Sequence, residues 1–254
     1  MGLDVWALIN DMDHKDVISN YEILSHAQTR ARLIDNLMRE ADATGFDGIN
    51  VDFEYIDDQT AESYIQFLRE LSLACHARNL VLSVDNYVPK EYNLHYHRAE
   101  QGVICDYVII MGYDEHGTFS TEAGSVASIG YVTEGIDRTL QEVAPERVIN
   151  AIPLYTRIWS TENGTLSSQA VGIRQAQDFV SNHGISLTWD DITCQNYGDI
   201  TEGNRYYQIW MEDTESIEAK LSAMQHYGLA GVAAWKLGFD TPEVWDTIGA
   251  YLAQ

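Results

Sequence analysis

Asp47-Gly-Ile-Asn-Val-Asp-Phe-Glu-Tyr55 is the stretch whose reading decides the fold. Ile49, Val51 and Phe53 alternate in it with Asn50, Asp52 and Glu54. Side chains at i, i+2 and i+4 of a strand share one face, about 6.5–7 Å apart along it. One face is therefore apolar, and the other carries an amide and two carboxyl groups. Polar groups are costly inside a core unless they are paired or put to use. The bland alternative is a polar strand end whose acids cap the next helix. An acidic stripe that ends in Glu at the carboxyl end of a strand is, however, where barrel enzymes keep their chemistry. Two acids at this spacing can divide the labour. The charge on one raises the proton affinity of the other, so one can stay protonated as a general acid.

Outward from this segment, short apolar runs alternate with amphipathic stretches. Strands are expected at Leu3–Ile9, Gly48–Phe53, Leu80–Val84, Tyr107–Met111, Arg147–Leu154, Tyr206–Trp210 and Gly231–Trp235. Helices are expected at Thr29–Ala43, Ala61–Ala77, Val132–Glu142, Gly172–His183, Thr214–Tyr227 and Pro242–Ala253. In the first, Ala31, Ile34, Leu37, Met38 and Ala41 fall on one side; in the second, Tyr64, Ile65, Leu68, Leu71 and Leu73 are apolar. Strand–helix alternation implies a parallel sheet with right-handed crossovers. Around seven principal strands favour a (β/α)8 barrel over an open doubly wound sheet. No Gly-rich phosphate loop follows the first strand, which weakens a dinucleotide-binding reading. Thr188–Tyr207 reads as a small β-rich insertion late in the barrel, with Asn196–Asp199 and Glu202–Asn204 as turn signals.

The 254 residues suit one barrel or two ordinary domains, and no linker or low-complexity tract divides them. A single catalytic domain over 1–254 is expected, with the insertion at approximately 188–207. The formal net charge of -24 argues against nucleic-acid binding and against docking on an anionic membrane, since both need a basic face. Cys75, Cys105 and Cys194 are too few and too scattered for a disulfide framework or a zinc site. Cys75 and Cys105 stand in apolar contexts and read as buried thiols. No run reaches the roughly 18 apolar residues that cross a bilayer. Met1–Ile9 reads as a strand rather than as a charged leader.

The central segment resembles the signature of glycoside hydrolase family 18, Asp-Gly-x-Asp-x-Asp-x-Glu, here Asp47, Gly48, Asn50, Asp52 and Glu54. Further stretches resemble the family in the same order. Met111-Gly-Tyr-Asp114 resembles its Met-x-Tyr-Asp strand end, Ile152–Arg157 its strand bearing Tyr and Arg at the sugar site, and Ala233-Ala-Trp235 its last strand. The resemblance implies a (β/α)8 barrel without a cofactor or metal. It implies that Glu54 protonates the leaving oxygen. Asp52 and Tyr113 would act on the substrate's 2-acetamido group, which itself attacks the anomeric carbon, a route outside the two-carboxylate scheme. Asn50, Asp114, Tyr155, Arg157 and Glu115 become candidate substrate contacts, and Trp235 the floor under the reactive sugar. Taken alone, a strand Trp or Tyr is more often core, and Arg157 could be a surface ion pair. Asn50, Tyr113–His116, Gly124–Ser128, Tyr155–Trp159 and Trp235–Asp240 are similar to the branch of spore-cortex and cell-wall N-acetylglucosaminidases.

Two departures stand out. Asn50 occupies the place of the motif's inner Asp; it still hydrogen-bonds but holds no negative charge. Only Leu3–Ile9 clearly precedes Asp47, so the barrel is expected to lack its first strand–helix unit. An open edge of that kind invites pairing with a second copy. The expected substrate is a glycan containing N-acetylglucosamine, in peptidoglycan fragments or chitin-like oligomers. A substrate of this class suggests a place outside the cell or at a spore or cell-wall layer, whereas the odd number of thiols and the missing leader suit a cytoplasmic chain, so the location is open. The rival is a lectin-like, non-catalytic barrel, but such relatives typically lose the terminal Glu of the motif.

Overall fold

The structure is a computed structural model that describes residues 2–12 and 17–253. Met1 and Gln254, the limits of the expected single domain and of the expected first strand's leader reading, lie outside the described residues. In chain order the elements are β1 (Trp6–Asn10), α1 (Asn20–Leu24), α2 (Ala27–Thr44), β2 (Gly48–Asp52), α3 (Ala61–His76), β3 (Val81–Tyr87), α4 (Arg98–Ile104) and β4 (Tyr107–Met111). Next come α5 (Ile129–Thr139), β5 (Val148–Pro153), β6 (Tyr155–Glu162), β7 (Thr165–Gly172) and α6 (Ile173–His183). The last are β8 (Thr188–Asp190), β9 (Gln195–Glu202), β10 (Arg205–Met211), α7 (Thr214–Tyr227), β11 (Gly231–Trp235) and α8 (Pro242–Leu252). The chain divides into two compact units, Met1–Ile110 with Arg138–Ile149, and Met111–Asp137 with Asn150–Gln254.

In the first unit the strands follow one another in chain order, β1, β2, β3, β4 and the start of β5. β1 and β2 are parallel with Asn10 opposite Asp52, and β2 and β3 are parallel with Asn50 opposite Ser83. Ile49 and Val51 are buried from β2, as are Leu82 and Val84 from β3. Phe53 stacks on Phe67 and Tyr64, with ring centroids 5.8 and 6.0 Å away. α3 buries Tyr64, Ile65, Phe67, Leu68, Leu71 and Cys75, whereas Leu73 is exposed, because it falls a third of a turn outside that face. On α2 the inward face carries Arg30, Ile34, Met38 and Ala41, while Ala31 points to solvent. Arg30 tolerates burial because Glu70 accepts two of its N–H groups, at 3.0 and 3.1 Å, and the Leu24 carbonyl a third.

In the second unit the rest of β5 lies beside β11. A five-stranded antiparallel sheet follows the order β7, β6, β10, β9, β8. Tyr206–Trp210, expected as a barrel strand, belongs to this sheet. An apolar run announces a strand but not which sheet it joins. The sheet containing β1 thus has six strands among the described residues, rather than seven. The antiparallel sheet spans Tyr155 to Met211, so the expected insertion at 188–207 is only its later part. Asn196–Asp199 is not a turn but lies within β9. Gly198 is there for space: a Cβ would come within 2.5 Å of the Ile185 side chain. Asn163 and Gly164 form the β6–β7 turn with φ of 50° and 78°, the paired positive values that a two-residue hairpin favours.

Behind this sheet Glu212 and Lys220 form a buried ion pair at 3.0 and 3.1 Å. Gln195 and Ser216 donate to the same carboxylate, at 2.7 and 2.8 Å. Cys75 and Cys105 are buried as expected, and burial pushes the Cys75 thiol up to about 12.

Candidate active site

The acidic stripe of β2 sits where the strand leaves the sheet. Asn50 is buried, and Asp52 and Glu54 are partly so. Neither acid caps α3. Its N-cap is Thr60, without a side-chain capping bond, and in the turn before the helix the Asp57 carboxylate accepts from the Thr60 amide and hydroxyl at 2.9 and 2.6 Å. The helix-capping alternative is thereby excluded.

Three neighbours that the sequence did not single out complete this cluster. Asp11, buried just beyond β1, accepts from the main-chain N–H of Glu54 and of Tyr55, both at 2.9 Å. The Asn20 amide donates to the same carboxylate at 2.6 Å. Asp11 therefore fixes the backbone that carries Glu54. The Tyr87 hydroxyl at the end of β3 donates to the Glu54 carboxylate. Asp85, also on β3, accepts from the Asn50 amide at 3.0 Å, and the same amide nitrogen donates to Ser83 Oγ at 3.0 Å. Asp11 and Asp85 were hidden because the groups that tie them to the β2 strand end, the Glu54 and Tyr55 amides and Asn50, lie 35 or more residues away in the chain.

Asp52 is under electrostatic pressure. Burial first, then the charges of Asp85, Glu54 and Asp11, push its carboxyl up to about 7. Its Oδ1 is buried with no hydrogen-bond partner among the described residues. Burial pushes Asp85 up to about 6, with the Asn50 hydrogen bond pulling down and the Glu54 charge pushing up. Burial and the bond to Glu54 hold the Tyr87 hydroxyl in its protonated form, as a donor. Chemically the cluster offers one carboxyl at a strand end, held by its backbone, and a second that exchanges a proton near neutrality. Among the described residues no group of His, Cys, Asp and Glu is arranged to hold a metal ion.

The remaining candidates gather in the second unit. Tyr113, Tyr155 and Trp235 form an aromatic trio with centroid separations of 6.2, 6.4 and 5.4 Å. Tyr155 is buried and donates to Asp114 Oδ1 at 2.5 Å. Arg157 lies 3.9 Å from the same oxygen and donates to Ser168 Oγ at 3.1 Å. Trp235 is 43% exposed, so its ring is open to a ligand rather than lost in the core. Glu115 stands apart in role: its two oxygens accept from the Ser128 amide and hydroxyl at 2.8 and 3.0 Å, at the start of α5. These two bonds fix the Glu115 carboxylate at the N-terminal turn of α5.

Residues 3–240 match the profile of glycosyl hydrolases family 18. The chain belongs to this family. Within family 18 it is similar to the cortical fragment-lytic enzyme of Bacillus subtilis, with 31% identity over 88% of this chain and 54% of that protein. It spans about half the length of that relative. Among solved structures, the spore cortex-lytic enzyme SleL of Bacillus megaterium is similar with a TM-score of 0.82 and 23% identity, over 91% of this chain and 55% of that one. A chitinase of Chromobacterium violaceum is similar with a TM-score of 0.88 and 23% identity, over 99% and 80%. These similarities show the family's (β/α)8 barrel-type fold, here with a β-sheet insertion.

Proposed function

We propose that the chain is a retaining glycosidase that cleaves β-1,4 bonds after N-acetylglucosamine, in peptidoglycan fragments or chitin-like oligosaccharides. Glu54 is the acid/base. Asp52 orients the 2-acetamido group and balances the charge that develops on it, with Tyr113 as a further hydrogen-bond partner of that group. Asn50, Asp114, Tyr155 and Arg157 serve sugar binding, and Trp235 supplies an apolar platform for a pyranose ring. The observation that carries the reading is the geometry of one strand end. Glu54 is aimed through its backbone by Asp11 and through its side chain by Tyr87, with Asp52 two residues away on the same face. A protein nucleophile requires two carboxyl groups about 5–5.5 Å apart across the scissile bond. Acids that follow one another along a strand do not straddle a sugar, which favours the substrate's own acetamide as the nucleophile.

Hydrolysis of a chromogenic N-acetylglucosamine oligomer tests the reading, with Glu54→Gln as the control. The product should keep its anomeric configuration, and a thiazoline analogue of N-acetylglucosamine should inhibit. An N-trifluoroacetyl substrate should react far more slowly, because its carbonyl oxygen is a poorer nucleophile. Indifference to that fluorination would remove substrate assistance. Binding of the oligomer without any turnover would favour a lectin-like barrel.

The proposed substrate class suggests a setting outside the cell or at a spore or cell-wall layer; nucleic acid and membranes are not partners in this reading. A second copy of the chain is proposed to pair along the edge of β1 that has no partner strand among the described residues, where Leu8 is exposed, as are Leu3 and Val5 just before the strand. Light scattering over a range of concentrations should then show a dimer, and a strict monomer refutes the pairing.

A further inference from the structure

Asn50 is an odd residue for an acidic strand end until its partners are considered. Its amide nitrogen has two hydrogens, and both have acceptors: Ser83 Oγ and Asp85 Oδ1, each at 3.0 Å. The pairing Asn50↔Ser83 and Val51↔Val84 continues one step to bring Asp85 level with Asp52 on the adjacent strand. Level positions on neighbouring strands are about 4.7–4.9 Å apart, closer than the two-residue step along one strand. A carboxylate at position 50 could not donate to Asp85 at all, whereas the amide does. Asn50 is thus the grip that holds an acid across the ladder.

We propose that Asp85 is a positioning residue of the catalytic pair: held by Asn50 beside Asp52, its charge decides whether Asp52 meets the substrate as a carboxylic acid or as a carboxylate. This rests on the reading of Glu54 and Asp52 as the catalytic pair. Within the first unit the charges that bear on Asp52 come from Asp85 on β3, Glu54 beyond β2 and Asp11 beyond β1, all acidic. Among the described residues of that unit no cation is one of them, and a proton can serve as the counter-charge. The buried, unpartnered Oδ1 of Asp52 is where such a proton, or the N–H of a bound acetamido group, would be accommodated. Asp85 has the larger effect of the three acids on Asp52, and it alone is restrained by a side-chain donor that itself belongs to the stripe.

The experiment compares the wild type, Asp85→Asn, and the transposed double variant Asn50→Asp/Asp85→Asn, which moves the carboxylate from β3 back to β2. The titration of the Asp52 carboxyl, followed by carbon-detected NMR in the resting protein, needs no turnover. It should fall in Asp85→Asn and recover in the double variant. The pH profile of kcat/KM on the chromogenic oligomer should move to lower pH in Asp85→Asn and return in the transposition. An Asp52 titration unmoved in Asp85→Asn overturns the proposal, and so does a double variant that titrates like Asp85→Asn. A wild-type protein that binds but never hydrolyses the oligomer defeats the catalytic reading instead, and the NMR arm still decides whether Asp85 governs Asp52.

Discussion

Two places in this molecule hold carboxyl groups away from water, and they solve the problem in opposite ways. In the second unit Glu212 is given everything a buried carboxylate needs: the Lys220 ammonium, the Gln195 amide and the Ser216 hydroxyl. In the first unit Asp52, Asp85, Glu54 and Asp11 share space with no cation of that unit bearing on Asp52 among the described residues, and among these Asp52 Oδ1 has no hydrogen-bond partner. A satisfied charge is inert, and its use is to specify how strands and helices meet. An unsatisfied cluster keeps protons exchangeable near neutral pH and leaves hydrogen-bonding capacity for a ligand. The contrast separates a structural acid from a chemical one more sharply than residue type does.

The contrast can be broken most decisively at its two centres. Glu54→Gln should lower kcat by roughly 10²–10⁴-fold, the range of general acid catalysis, while oligomer affinity measured by calorimetry stays close to wild type. Lys220→Met should do the reverse. It leaves Glu212 buried without its counter-ion, which costs about 3–5 kcal/mol of folding stability in a denaturant titration. The pH profile of any surviving activity should keep its wild-type shape. A profile that shifts in Lys220→Met would mean the two centres are electrostatically joined.

Smaller effects sharpen the picture. Asp11→Ala frees the amides of Glu54 and Tyr55; if this lets the carboxyl drift by about 1 Å, turnover falls by up to roughly 10²-fold. Asp11→Asn, which keeps one acceptor oxygen, should recover part of it in the same kinetic assay. Asp52→Asn should be the most informative change in the sign of its effect on stability. The folded-state value of Asp52, about 7, is above its ordinary 3.8. Between those values the folded protein holds a proton that the unfolded chain has released, so this group's contribution to stability falls as pH rises through that window. The variant should therefore melt higher than wild type at pH 8 and at the same temperature at pH 4. Equal melting at both would show that the cluster is better solvated than its burial implies.

Much of this was legible in the sequence where the information is local. The alternation from Asp47 to Tyr55 marked β2, its polar face and its two acids, and helical periodicity placed α2, α3, α6, α7 and α8 to within a few residues. Partnership across long loops was not legible. Asp11 follows a strand that reads as apolar, and its role is defined by amides 43 and 44 positions later. Asp85 continues β3 past Val84, where the apolar run gives way to Asp-Asn-Tyr. The short helices α1 and α4 carry too few turns for periodicity to show, and α4 buries Arg98 and Gln101 on its inner face, against hydrophobic expectation. Tyr206–Trp210 reads as a strand in either sheet, and only the pairing with β6 and β9 assigns it.

The clamp at Asp11 has a practical corollary. It grasps the chain through main-chain amides and is indifferent to the side chain they carry. Position 54 therefore behaves as a socket: the group plugged into it can be exchanged while the loop around it keeps its path. Variants there should remain faithful mimics of the native receptor, able to capture intact glycans for identification, and a small residue such as Gly should leave a berth for an added anion such as azide or formate.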